Sequence, residues 1–246
     1  MAAFHGVWSL AGFTGAAIGT VMLGQGFDPV AHFLLIGGVV LLGLLVCWPF
    51  TLREDRTAET RAPIFARPDK ALLTLGIIAF CCMVCEGAMF DWSGIYFKKV
   101  VLAQDAWVGA GYTAFMGTMA GSRFVADQIV HRFGMKNVLR LSGVLTASGL
   151  LLAVLLPALP MAILGFLLVG FGVSSVVPLV YSAAGRASTM SPGVALAAVS
   201  TVGFLGFLIG PQLIGLVAGV VSLRLSFAII AIMGLCITIV ASRAKV

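Results

Sequence analysis

Charge is scarce in this sequence. Of 246 residues, 15 are lysine or arginine and 9 are aspartate or glutamate, whereas soluble domains devote about a quarter of their residues to these types. So few charges cannot cover a water-facing surface, which excludes a soluble globular domain. No GxxxxGK[ST] phosphate loop is present, so ATP is not the energy source within this chain. There is no HExxH and no GxSxG elbow. Acid–base groups are few and scattered, so neither an enzyme nor a resident cofactor or metal is expected. The net charge of +6 forms no basic face or aromatic-interleaved patch, which argues against a nucleic-acid partner. Residues 1–26 lack a basic n-region, so no cleavable signal peptide is expected. The five cysteines, Cys47, Cys81, Cys82, Cys85 and Cys236, all lie in apolar runs. Cys82 and Cys85 form a CxxC with no second ligand pair, and read as small apolar residues.

What the chain has instead is apolar length. Apolar residues make up 61% and there are 30 glycines, a composition for which lipid is the solvent and small residues let helices approach closely. Apolar runs of membrane-crossing length fall at about 4–25, 30–51, 71–97, 106–130, 138–157, 160–184, 193–218 and 222–242. Barrel strands would be half that length and would alternate. The expectation is an all-α, polytopic membrane helical bundle of about eight transmembrane helices, in the inner (plasma) membrane. Its longest polar stretch, Thr51–Lys70, contains Pro63 and Pro68 and reads as a solvated linker. With that loop cytosolic, eleven lysines and arginines fall on its side and three on the other, which places both termini in the cytosol.

A repeat organises these spans. Residues 9–19 (SLAGFTGAAIG) and 200–210 (STVGFLGFLIG) share Ser9/Ser200, Gly12/Gly203, Phe13/Phe204, Gly15/Gly206 and Gly19/Gly210. The 191-residue shift aligns spans one and two with spans seven and eight, six helices later. Repeated six-helix units joined by a cytosolic loop are a known transporter design. Residues 71–246 then form a complete six-helix C-terminal half, 51–70 the linker loop, and 1–50 the last two helices of an N-terminally incomplete first half.

Three segments carry a family resemblance. Phe4-His5-Gly6-Val7-Trp8-Ser9, Glu86-Gly87-Ala88-Met89-Phe90-Asp91-Trp92-Ser93 and Arg132-Phe133-Gly134-Met135-Lys136 resemble the fifth helix, the seventh helix and the loop between helices eight and nine of the major facilitator superfamily. Within it they look like the bacterial sugar-permease-like branch. The resemblance runs the whole chain, as helices five to twelve of twelve. The loop departs from the superfamily motif, because Asp127 stands where glycine is usual and His131 where the acid is usual.

Ionisable residues inside spans are costly, about 2.5–3.5 kcal/mol each at a helix centre on insertion scales. Glu86 reads either as a proton-coupling or substrate carboxylate in a central cavity or as a packing hydrogen bond. Asp91, five residues on, lies about 140° around the helix, so the two do not share a face. It is the second proton-coupling or substrate candidate and sits beside Trp92, Ser93 and Tyr96, which read either as a binding wall or as an interfacial belt. Arg123, Asp127 and His131 form one stripe at i, i+4 and i+8, next to Arg132. That stripe is either a gate latch or a static ion pair with Arg123 snorkelling to the interface. Gly15/Gly19, Gly117/Gly121 and Gly206/Gly210 fit GxxxG contact faces. Pro178 and Pro211 can kink their helices and free backbone carbonyls. His5, Trp8, Ser174, Tyr181 and Gln212 are cavity-lining candidates.

The functional expectation is secondary active transport of a small solute, with protons as a candidate coupling ion and the bilayer as the other partner. The alternatives are a drug or metabolite efflux permease, a transport-inactive fragment, and a membrane scaffold.

Overall fold

The computed structural model describes residues 2–51, 69–186 and 190–244. Most of the linker, with Arg53, Arg56, Arg61 and Arg67, therefore lies outside the described residues, as does Lys245. Every regular element among the described residues is helical: α1 (Ala2–Gly24), α2 (Pro29–Cys47), α3 (Lys70–Lys99), α4 (Ala110–Phe133), α5 (Met135–Leu155), α6 (Leu159–Ser174), α7 (Val176–Gly185), α8 (Pro192–Val220) and α9 (Leu223–Arg243), with short 3₁₀ turns at Trp48–Phe50 and Asp105–Trp107. Counting α6 and α7 as one interrupted span gives the eight segments expected. Among the described residues six segments are long and apolar enough to cross a membrane. The helix α4 is not one of them, since Arg123, Asp127 and Arg132 interrupt it.

Helix ends follow local chemistry. Asp69 caps α3 by accepting from the Leu72 N–H at 2.8 Å, and Lys98 and Lys99 occupy its last turn, where cations complement the helix dipole. The turn between α4 and α5 is a single residue, Gly134, at φ +76°. Its left-handed backbone favours glycine, which accounts for the glycine of the RFGMK segment.

The chain forms two compact bodies, Met1–Phe13 with Ile64–Val246, and Thr14–Pro63. In the smaller, Asp28 caps α2 through its carboxylate, accepting from Val30 N–H at 2.9 Å and Ala31 N–H at 3.3 Å. The α2 side chains are exposed apolar groups, for example Leu34 at 73% and Leu45 at 65%.

In the larger body, α3 is the central helix, packed against α8, α9, α7 and α4, while α5 joins α9 and α6. Glycine sets the α3–α8 distance. A β-carbon on Gly210 would sit 3.1 Å from the Val84 backbone, one on Gly203 would sit 3.0 Å from the Met83 sulfur, and one on Gly206 would collide with the Phe80 carbonyl. Of the three GxxxG pairs, Gly206/Gly210 is this contact face. Among the described residues no backbone atom lies within 4 Å of a β-carbon placed on Gly117 or Gly121, so that pair makes no close backbone contact. Near one end of α3, Tyr96 packs at a tilt against Phe227 with ring centroids 4.3 Å apart and donates its hydroxyl to Ala153 O at 2.9 Å. Tyr96 is thus a fully buried core residue, neither belt nor binding wall as its position in sequence suggested. Apolar matching across a membrane does not reveal which aromatic faces inward.

Candidate functional site

A cavity of about 530 Å³ lies within the larger body. Five helices wall it, each presenting one face. On α3 the face is Met83, Glu86 and Phe90; on α4 it is Met116, Met119 and Arg123. Both sets fall at i, i+3 and i+7, the spacing of a single helix face. Phe204 and Phe207 come from α8, Val177 and Tyr181 from α7, and Trp8, Ala11 and Gly12 from α1. Hydrogen-bonding side chains are few, and the wall is made of methionine sulfur, aromatic rings and aliphatic carbon.

Two of the sequence candidates meet here. Arg123 Nη2 lies 3.4 Å from Glu86 Oε1, joining α4 to α3 across 37 residues. Both residues are buried, Glu86 at 7% and Arg123 at 3% exposure. At this separation their attraction is about 5 kcal/mol for an effective dielectric near 20, so each offsets the cost of placing the other among apolar groups. Arg123 is also anchored from two other sides. Its Nε donates to the Ser174 carbonyl at 2.9 Å, and Nη1 donates to the hydroxyl of Ser9. The remaining described contact of Glu86 is a Cys82 Sγ donor at 3.9 Å.

The carbonyl that holds Arg123 is free for a covalent reason. In a continuous helix the N–H of residue 178 would bond to Ser174 O, but Pro178 has no N–H. The helix breaks there, α6 ending at Ser174 and α7 starting at Val176, and the unpaired carbonyl turns to the guanidinium. A second proline acts in the same way on α8. Pro211 releases the carbonyl of Phe207, and Gly87 of α3 packs close, its β-carbon position 3.1 Å from that oxygen. Trp92 Nε1 donates to the Pro211 carbonyl at 3.0 Å.

The other candidates disperse. Trp8 and Tyr181 are cavity walls. Ser174 contributes its carbonyl, while its hydroxyl donates to Phe171 O at 2.9 Å. Gln212 is exposed and does not line the cavity. His5 falls in α1, with its side chain outside the described residues. Asp91 is exposed and lines a separate, more open groove with Lys98 and Tyr112, consistent with two carboxylates on different faces. Asp127, His131 and Arg132 are exposed. Arg132 lies over the Phe133 ring at 5.5 Å, and among the described residues neither Asp127 nor His131 makes an ion pair. Arg123 therefore departs from the expected stripe: it points inward to Glu86 rather than snorkelling along α4, because a buried acid on α3 offers a stronger partner than an exposed one on its own helix. The CxxC cysteines are also internal, Cys82 and Cys85 each donating weakly to a carbonyl at 3.7 Å, of Val173 and Ile230.

Sequence reasoning missed Ser9 and the apolar wall. Ser9 carried a signal, since a buried arginine needs acceptors and Ser9 follows directly on Trp8.

Membrane-length helices around an internal cavity with a buried ion pair define a polytopic α-helical membrane protein. The chain belongs to the Major Facilitator Superfamily, whose family model matches residues 1–191 and again 103–245. Among its relatives is an uncharacterised MFS-type transporter of Yersinia pestis, 32% identical over 242 residues, covering 98% of this chain and 62% of that protein. An uncharacterised transporter of Sinorhizobium fredii is 34% identical over 245 residues, covering 98% of this chain and 64% of its own length. The membrane protein MosC of Rhizobium meliloti is 32% identical over 241 residues, covering 96% and 58%. The chain thus spans about three fifths of the length of these relatives.

Proposed function

We propose that this chain works in secondary active transport of a small solute by alternating access, with Glu86 as the proton-coupling group and Arg123 as its exchangeable partner. The observation that carries this is the Glu86–Arg123 pair, 3.4 Å apart on the wall of the cavity. A buried carboxylate beside a buried guanidinium has two stable arrangements, paired when ionised and separated when the acid is protonated. Such a two-state element is what a coupled carrier needs. We read α3–α9 as one six-helix half and α1 with α2 as the closing pair of the other, supported by the 191-residue repeat. The lysine and arginine asymmetry supports an inner-membrane location with both termini cytosolic. Asp127 and His131, exposed and four residues apart on α4, are read as gate contacts.

The test is proton flux. The chain is reconstituted into liposomes holding a trapped pH dye, and an acid-outside gradient is imposed with glucose, benzoate or tetraphenylphosphonium as solute. Solute-dependent proton movement that vanishes in Glu86→Gln, with membrane insertion unchanged, is expected. Equal flux in Glu86→Gln would remove Glu86 from the coupling step. The sugar reading rests on motif resemblance, whereas the apolar wall favours a less hydroxylated solute.

A further inference from the structure

We propose that the cavity takes a small organic acid, a single carboxylate on an apolar body of aromatic-ring size, bound together with one proton on Glu86. This rests on the reading of Glu86 and Arg123 as the coupling pair and adds the chemical class of the solute.

The first argument is charge balance. With Glu86 ionised and Arg123 cationic, the cavity wall is neutral among the described residues. A cationic solute would leave it one charge positive, and an anion arriving alone would leave it one charge negative. Either excess sits among apolar groups where unpaired charge is expensive. An organic acid with one proton keeps the sum at zero. The proton, taken from solution, adds to the Glu86 carboxylate, and the solute carboxylate replaces it as the anion facing Arg123. No covalent bond other than that O–H forms.

The second argument is how Arg123 is held. Nε and Nη1 are fixed on the Ser174 carbonyl and the Ser9 hydroxyl, so the guanidinium stays at the cavity wall when Glu86 lets go. The Nη2 contact to Glu86 is the loose one, 3.4 Å against about 2.7–2.9 Å for a well-made charge-assisted bond. It is the contact that can change partners.

The third argument is the wall itself. Among the described residues, Phe90, Phe204, Phe207 and Trp8 face a space whose hydrogen-bonding side chains are Glu86, Arg123, Tyr181 and the indole N–H of Trp8 itself. A sugar would lose water from several hydroxyls without replacement partners, and each unpaired group costs affinity. A benzoate-like body loses nothing by entering.

Among the described residues, other ionisable groups around Glu86 do not provide a rival charge. Cys82 and Cys85 lie on its own helix as buried thiols, and Tyr181 faces it from α7. α6 and α8 contain no ionisable side chain, and Cys236 of α9 meets Cys81. His5 of α1 has its side chain outside the described residues.

The experiment is equilibrium binding to the purified full chain in lipid nanodiscs, with radiolabelled benzoate and a pH dye in weakly buffered solution. Saturable binding that is tenfold or more tighter at pH 5.5 than at pH 8, with about one proton taken up per benzoate, is expected. Glu86→Gln should abolish the proton uptake and flatten the pH dependence. Arg123→Met should lose binding, and Arg123→Lys, which keeps charge and the fold's ion pair, should weaken it while retaining proton uptake. Glucose and tetraphenylphosphonium should not compete. Competition by either, or binding without proton uptake, overturns the proposal. Solute-coupled proton flux in liposomes with no benzoate binding also overturns it while leaving transport standing. Benzoate binding with proton uptake but no flux supports it and counts against transport alone.

Discussion

At the scale of single residues, the Glu86–Arg123 pair has a stability consequence separate from its function. Removing one member leaves the other charged and buried, a loss of about 3–5 kcal/mol for interior pairs, whereas neutralising both removes the conflict. Arg123→Met is therefore expected to lower the thermal midpoint of the detergent-solubilised protein by many degrees. The double variant Arg123→Met/Glu86→Gln should recover at least half of that loss. Additive effects of the two single changes would show that the residues do not interact. Glu86 was legible in the sequence as an acid inside an apolar run, and so was Arg123 as a base inside another. Their partnership was not. Asp127, one turn along the same helix, is the nearer acid in sequence, and helical spacing alone favours it. The signal that would have found the pair is neutrality: a lone buried acid and a lone buried base in neighbouring apolar spans stabilise each other only if they meet.

At the scale of elements, close backbone contact and proline breaks set the geometry. Gly206→Ala puts a β-carbon against the Phe80 carbonyl and must push α8 away from α3. A cost of about 1–3 kcal/mol is expected, read as a lower unfolding midpoint. Gly121→Ala meets open space and should leave the midpoint unchanged, so a similar drop for both would discount the contact. Pro178→Ala returns an N–H to the helix, which competes with Arg123 for the Ser174 carbonyl. Losing that charge-assisted bond, worth about 1.5–3 kcal/mol, should weaken benzoate binding about 10- to 100-fold with helix content unchanged by circular dichroism. Unaltered binding would mean that the proline break does not position Arg123. The spans themselves were readable within a few residues, because twenty apolar residues can hardly be anything else in lipid. The α6–α7 interruption was hidden inside one unbroken apolar run, 160–184, and only Pro178 marked it. GxxxG spacing identified Gly206/Gly210 correctly and was silent on whether any partner faces Gly117/Gly121, since spacing describes one helix and contact needs two.

At the scale of the whole molecule, each body exposes apolar side chains over long stretches, Leu205, Leu208, Leu213 and Leu216 on α8 in the larger and Leu34, Leu41, Leu42 and Leu45 on α2 in the smaller. Lipid is the environment that such a surface fits. The charge asymmetry makes a labelling prediction. In a Cys47→Ser background, a cysteine at Ala106, in the exposed turn between α3 and α4, should react with an impermeant maleimide in intact cells. One at Asn137, exposed beside the α4–α5 turn, should react only after permeabilisation. The opposite pattern would invert the topology.

The broken helix between α6 and α7 has a mechanical meaning. A helix normally holds itself together along its own length, yet at this cut one strut is supplied by a guanidinium from another helix. Arg123 is a splint as well as a charge. Whatever displaces it slackens the cut, and whatever bends the cut tugs on the charge, so the helix break and the ion pair are two ends of a single lever.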